Sequence, residues 1–388
     1  AGAASQRATP PTPQQPLIAP RLHSPQPPMS SLSSLAAASS ASALRVPTTR
    51  RARGSSNARR AAVSVVTRAD GGAAAATSNN VATPDTIASR CGSASVKGTV
   101  RKENQDRFAA YVNPSAASGT PFAIYSVFDG HGGNQVSQWL TDNYANYVLE
   151  EWPKADFCLE ALSQACLRAD YELVQPPPGF FGAFGERGVG GSKCGSTSAT
   201  AALFQEGGST KLCTANVGDA RVILVRDGSA LQLSVDHVPD DENERRRIDR
   251  GNPNLRKSLV TMAEGTWRVG GILALSRAFG DSFLKESGRF EGIGERNADY
   301  GSGFGLNAEP DCYIEALTAK DTWVVLASDG LFGNELRGGG GGFENQEIAD
   351  FLLAAPQDAS AEKLAKELIS MAVSKGSTDD ITVTLMRL

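Results

Sequence analysis

Acidic residues recur beside glycine in this 388-residue chain, each at the end of a short apolar run. Asp129 closes the run Phe122–Phe128 in FDGHGG, Asp219 follows Leu212–Val217 in NVGD, and Asp329 follows Trp323–Ser328 in SDG. Asp379 and Asp380 directly precede Ile381–Leu385 in GSTDDITV, and Asp106, in RKENQD, stands just ahead of Arg107–Val112. One such carboxylate is ordinarily a turn residue. Carboxylates at five corresponding places are better explained by a shared ligand. Glycine lets backbone carbonyls come close, and carboxylate, carbonyl and water are the donors that hard divalent cations prefer. Most of these motifs contain neither His nor Cys, which points to Mg²⁺ or Mn²⁺ rather than Zn²⁺. His131, two residues after Asp129, can reach a group held by such cations, and an ordinary pKa of about 6.5 suits proton donation. Taken alone, a single His is as a rule structural. Arg101, five residues before Asp106, carries a planar fork that matches phosphate oxygens. Together these parts favour hydrolysis of a phosphate ester by a metal-activated water, with no covalent enzyme intermediate.

The elements that must position them are legible as patterns. Phe122–Phe128, Thr197–Phe204, Leu212–Val217, Arg221–Val225, Trp323–Ser328 and Ile381–Leu385 are β-branched or aromatic-rich runs bounded by Gly, Asp or Asn, and read as strands. Val136, Leu140, Tyr144 and Tyr147 recur at spacings of three and four, as do Leu159, Leu162, Cys166, Ala169 and Leu173. Leu364, Leu368 and Met371 continue that period before Gly376, a helix stop. Paired strands, then two helices, then more strands fit an antiparallel α+β architecture rather than a doubly wound parallel sheet. Pro176–Lys193, Gly288–Gly305 and Gly338–Gly342 read as surface loops.

Charge divides the chain. Residues 1–69 hold nine Arg and no Asp, Glu or Lys, whereas the rest holds 29 basic against 42 acidic side chains, a formal −13. Such an acidic body is a poor partner for nucleic acid. The first 69 residues, rich in Ala, Ser, Pro and Arg, have too little large apolar surface to fold and are expected to be an organelle transit peptide, for the chloroplast ahead of the mitochondrion. Residues 70–86 read as linker and 87–388 as the folded domain. Six Cys without a C-x-x-C pair suggest neither a zinc knuckle nor a disulfide framework. No apolar run approaches the roughly 20 residues needed to span a bilayer.

RKENQD, FDGHGG, CGSTSATAAL, NVGDARVILV, LSVDHVPD, LALSRAFGD, LASDGLF and GSTDDITV occur in the order seen in the metal-dependent type 2C protein phosphatases, and from about Ile87 to Leu388 the chain resembles that family. The resemblance implies a central β-sandwich of two antiparallel sheets flanked by helices on both sides. It also implies dephosphorylation of Ser and Thr in phosphoprotein substrates, with two Mn²⁺ or Mg²⁺ per site. Carried over by position, Asp129 resembles the carboxylate that bridges both metals. Gly130 would lend its carbonyl to one, and Asp329 and Asp379 would complete the shell of the other. His131 resembles the general acid, Arg101 the phosphate clamp, and Asp219 the ligand of a weaker third metal. A water bridging the cations would attack phosphorus in line. A monomer is expected.

The chain departs from the family pattern in places. Gln105 stands where many members have Glu, so Asp106 must carry that ligand role. Asp380 stands where Asn is usual and reads as a residue behind the ligands. SDGLFGNE replaces the commoner D-G-L-W-D. The segment Gly288–Gly305 and the basic stretch Arg245–Lys257 are candidates for substrate selection. His237 reads as a turn or packing residue, the Arg245–Arg247 run as a solvated face, and Cys158, Cys166 and Cys213 as core. Two other readings stay open: a phosphatase-shaped binding module that has lost catalysis, and a hydrolase of small phosphoesters.

Overall fold

The computed structural model describes residues 84–175, 188–250, 252, 258–286, 304–332 and 342–388. All of them belong to the unit Ala61–Leu388; the other unit, Ala1–Arg60, lies outside the described residues, as do most of the linker and most of the three Gly-rich stretches.

The chain begins with α1 (Pro84–Ser89), β1 (Cys91–Val96), β2 (Arg107–Val112), β3 (Pro121–Phe128) and the short β4 (Gly130–His131). Two long helices follow, α2 (Gln135–Glu151) and α3 (Cys158–Leu173). Next come β5 (Gly195–Ser196), β6 (Ser198–Glu206), β7 (Ser209–Val217), β8 (Arg221–Arg226) and β9 (Ser229–Gln232). After α4 (Glu242–Arg250) a hairpin of β10 (Val260–Ala263) and β11 (Thr266–Val269) leads to β12 (Phe279–Gly280) and α5 (Ser282–Glu286). The last elements are β13 (Asp311–Ala316), β14 (Asp321–Ala327), α6 (Asn345–Ala354), α7 (Ala361–Ser374) and β15 (Ile381–Arg387).

Two five-stranded antiparallel sheets form the centre, ordered β1-β15-β14-β8-β9 and β13-β7-β6-β3-β2. Side chains of a strand alternate between faces, and here both faces are covered. In β14, Trp323, Val325 and Ala327 join the core with α6 and α7, whereas Val324 and Leu326 point between the sheets. In β3, Ile124 and Phe128 meet α2 and α3, whereas Phe122, Tyr125 and Val127 face the other sheet. That double burial is why these strands read as unbroken apolar runs. The helices close the outside with single apolar stripes: Val136, Leu140, Tyr144 and Val148 on α2, and Leu364, Ala365, Leu368 and Ala372 on α7. Ser360 caps α7 by accepting a hydrogen bond from the Lys363 amide. The result is the expected four-layer α+β sandwich.

The antiparallel order decides where the acidic residues go. The C-terminal ends of β3, β7 and β14 lie at the same end of the sandwich as the N-terminal ends of β2 and β15. Phe128 pairs with Arg107, Val217 with Ser198, and Ala327 with Val383. Among the described residues no helix is long and apolar enough to cross a membrane.

Candidate metal and phosphate site

Asp129, Asp219 and Asp329 converge at that end, each offering a carboxylate oxygen, all within 4.8 Å of one another. Backbone geometry brings them there. The Thr197 amide donates to the Asp129 carbonyl at 2.8 Å, tying the end of β3 to the start of β6. Gly218 turns the chain into Asp219 at φ +93°, where a Cβ would stand 2.5 Å from the Thr197 side chain. The Gly218 amide donates to Nδ1 of His237 at 3.1 Å, so this buried ring, read as packing, holds the Asp219 turn. Gly130 is equally constrained, since a Cβ there would meet the Gln105 carbonyl oxygen at 2.3 Å.

Asp106 is buried beside this group. Its Oδ2 accepts from the Ser328 hydroxyl at 2.7 Å, and its Oδ1 is buried without a hydrogen-bond partner. Burial, joined by the charges of Asp380 and Asp379 and offset in part by the Ser328 and Thr382 hydroxyls, pushes its pKa up to about 7. Asp129 is raised well above the carboxylate range, first by burial and then by the charges of Asp106, Asp329, Asp219 and Asp379. Asp380 accepts from the Gly98 amide at 2.7 Å and the Gln105 amide at 2.8 Å, clamping the loop ahead of β2 behind the carboxylates.

The two groups expected to handle phosphate lie beside the carboxylates. Arg101 donates from Nε to Asp379 Oδ1 at 2.8 Å and from Nη2 to Oδ2 at 2.9 Å, which raises its pKa, and it feels the charge of Asp129 as well. Asp379 therefore sits on the Arg101 fork and is not one of the three tightly grouped carboxylates. His131 Nε2 lies 2.7 Å from Asp281 Oδ2. Burial acts to lower the imidazole pKa, but the Asp281 carboxylate outweighs it and the net shift is upward.

The donor set fits divalent cations. Crowded carboxylates, one with an orphaned buried oxygen, are costly unless protonated or neutralised by positive charge. Oxygen donors without Cys or His match a hard ion. Asp129, Asp329, Asp219 and Asp106 meet this description directly; Asp379 meets it when it shares its oxygens with Arg101.

Asp281, Ser328 and Gly195 are the neighbours that sequence reasoning missed. Asp281 lies in LALSRAFGD as a Gly-Asp pair, like Asp219, but 150 residues from the His it touches. Of the Arg245–Arg247 run only Arg246 is a solvated face; Arg245 donates to the Pro239 and Asp240 carbonyls and Arg247 turns inward. Arg247 donates to Glu244 and to the carbonyls of Gly305 and Ser276, and Arg277 pairs with the same buried Glu244. Of the basic stretch 245–257, residues 251 and 253–257 lie outside the described residues. The six cysteines are free; Cys166, Cys194 and Cys213 are buried.

A family model described as "Protein phosphatase 2C" matches residues 90–381. A rice protein, "Probable protein phosphatase 2C 32" (Oryza sativa subsp. japonica), is 32% identical over 301 residues, covering 75% of this chain and 64% of the relative. "Probable protein phosphatase 2C 11" of Arabidopsis thaliana is 33% identical over 303 residues, 78% of this chain and 67% of the relative. A second rice protein, "Probable protein phosphatase 2C member 13, mitochondrial", is 32% identical and covers 77% and 68%. This chain thus spans about two thirds of the length of these relatives. Among solved structures, a serine-threonine phosphatase 2C from Toxoplasma gondii superposes with a TM-score of 0.57 at 21% identity, covering 76% of this chain and 94% of that one.

Proposed function

The chain belongs to the protein phosphatase 2C family, and from that premise we propose that it is a metal-dependent protein serine/threonine phosphatase whose catalytic domain occupies residues 87–388. The observation that carries this reading is the convergence of Asp129, Asp219 and Asp329 within 4.8 Å, beside Arg101 and His131. Asp129, the Gly130 carbonyl, Asp106, Asp329 and Asp379 would hold two Mn²⁺ or Mg²⁺, with Asp219 serving a weaker third. When bound, the cations supply charge neutralisation and a water activated for attack on phosphorus. The protein's own part is to hold and protonate. Arg101 presents a planar fork to two phosphate oxygens, exchanging part of its hold on Asp379 for the substrate. His131 gives its proton to the departing serine or threonine oxygen, which is too basic to leave as a bare alkoxide. Asp380 keeps the loop carrying Arg101 and Asp106 in register through the Gly98 and Gln105 amides.

A binding module that has lost catalysis would be expected to have lost metal carboxylates, and here Asp106, Asp129, Asp219, Asp329 and Asp379 are all retained. Steady-state rates with Mn²⁺ on phosphoserine and phosphothreonine peptides, against small phosphorylated metabolites, test the function. Faster turnover of peptides, abolished by EDTA, is expected; metabolites turned over faster would overturn the substrate class. For location, an acid-free, Arg-rich stretch over residues 1–69 supports organelle import, with the chloroplast ahead of the mitochondrion named for one relative. A fluorescent protein fused behind residues 1–86 that stays in the cytosol would refute import.

A further inference from the structure

His131 is gripped by a carboxylate outside the metal-site group. Its Nε2 is 2.7 Å from Oδ2 of Asp281, a buried residue on a different part of the chain. Asp281 is locked in place. It has φ +48°, a left-handed conformation that only Asn, Asp and Gly adopt readily. Its amide donates to the Cys194 carbonyl at 2.9 Å, and its carbonyl accepts from the Leu284 and Lys285 amides in the first turn of α5. The residue before it is pinned as well, since the Gly280 amide donates at 2.7 Å to Asp170, fully buried on α3. Lys285 Nζ completes the anchor with 2.7 Å contacts to both Asp170 oxygens and a 2.8 Å contact to the Ala278 carbonyl. The pair itself is tightly enclosed. A Cβ on Gly195 would stand 2.2 Å from Asp281 Oδ2 and 2.4 Å from His131 Nε2, so only glycine leaves room for the contact.

We propose that Asp281 is the positioning residue of His131: it holds the ring through Nε2–H, so that Nδ1 is the nitrogen that delivers the proton to the leaving oxygen. The step balances within the pair. As the P–O bond breaks, its electrons go to the leaving oxygen, which takes the Nδ1 proton. The imidazolium becomes neutral imidazole with its remaining proton on Nε2, still directed at the Asp281 carboxylate. The fixed carboxylate stabilises the charged ring before transfer and selects its tautomer afterwards. This inference rests on His131 being the proton donor, and the experiment separates the two claims.

Asp281→Asn is the variant of choice, because Asn tolerates the same backbone conformation. It should be assayed as the full chain with Mn²⁺ on a phosphoserine peptide and on p-nitrophenyl phosphate, whose leaving group departs without a proton. Loss of such a supporting partner is expected to lower kcat on the peptide by roughly 10- to 100-fold, and on p-nitrophenyl phosphate by less than about threefold, as protonation contributes little there. The double variant with His131→Ala should be no slower than His131→Ala alone, because the two act as a unit. Nitrogen-15 NMR of the EDTA-treated protein at a pH where the ring has lost one proton, with His131 assigned by its loss in His131→Ala among only three histidines, should show the neutral Nε2–H tautomer, shifting toward a mixture in Asp281→Asn. If Asp281→Asn does not fold, Gly195→Ala breaks the same contact without removing the charge and should show the same discrimination between substrates. Equal losses on both substrates, no loss, or an additive double variant would overturn the proposal while His131→Ala still discriminates. If His131→Ala itself slows both substrates equally, its reading as the acid fails, and a neutral ring carrying its single proton on Nδ1 in the wild type overturns the positioning role independently.

Discussion

Replacing Asp129 with asparagine should abolish phosphatase activity and, without cations, make the protein more stable. The ligand oxygens of Asp129, Asp219 and Asp329 lie within 4.8 Å of one another. At an effective dielectric of about 20, two full charges at that distance repel by about 3.5 kcal/mol. Asp129 takes part in two such pairs, but it and Asp329 are only partly buried, so water screens part of the repulsion. Its raised pKa also means that it sheds some of its charge. A net relief of about 1–2 kcal/mol remains after these reductions. For a domain of this size that is a rise of a few degrees in Tm. Mn²⁺ acts in the opposite direction. At a hundredfold excess over Kd a ligand bound only by the native state adds about 2.7 kcal/mol, and the variant should forfeit most of that gain. Thermal unfolding followed by circular dichroism, in EDTA and across a Mn²⁺ titration, reads both effects. An Asp129→Asn protein that melts lower than wild type in EDTA yet keeps the full Mn²⁺ shift would refute the reasoning.

Arg101→Ala should cost roughly 10- to 100-fold in kcat/KM on a phosphopeptide, the worth of a charged hydrogen-bonding fork, with KM bearing much of it; unchanged steady-state kinetics would remove Arg101 from substrate binding. Glu244 is a buried carboxylate: burial acts to raise its pKa, but the Arg277 and Arg247 forks outweigh this and hold it well below its ordinary 4.5. Its stabilisation is therefore fully present above about that pH and is lost as pH falls toward the depressed folded value, so Glu244→Gln should lower stability at neutral pH and flatten the decline below pH 4.5, read by urea unfolding across pH. Gly92→Ala should destabilise by about 1–3 kcal/mol, because a Cβ on β1 would stand 2.2 Å from the Glu362 backbone nitrogen at the start of α7. The displaced partner is backbone, and the site is far enough away for kcat to be unchanged in the protein that remains folded.

Much of this protein is legible in its sequence because the informative elements are buried on both sides or bear one clear stripe. The strands at 121–128, 198–206, 209–217, 221–226, 321–327 and 381–387, and the helices α2, α3 and α7, coincide with apolar patterns read from residues alone. Edge strands are different. β1 (CGSASV), β9 (SALQ) and β13 (DCYIEA) are half exposed and lack the apolar run that marks a buried strand, so their pairing becomes visible only in the sheet. Helix α6 likewise went unread; its signal is the Glu344–Glu347 capping box rather than a long periodic stripe.

The site divides in the same way. Aspartate at successive strand ends, beside glycine at three of them, picks out Asp106, Asp129, Asp219, Asp329 and Asp379, because backbone chemistry at a strand end is local. Their meeting within a few ångströms depends on antiparallel register between strands far apart in the chain. The same holds for which carboxylate faces which base. Asp379 lies on Arg101 across 278 residues, and Asp281 lies on His131 across 150. A sequence specifies which groups are present and the local turns they occupy. Pairwise electrostatics depends on separation in space, which only the packed sandwich fixes.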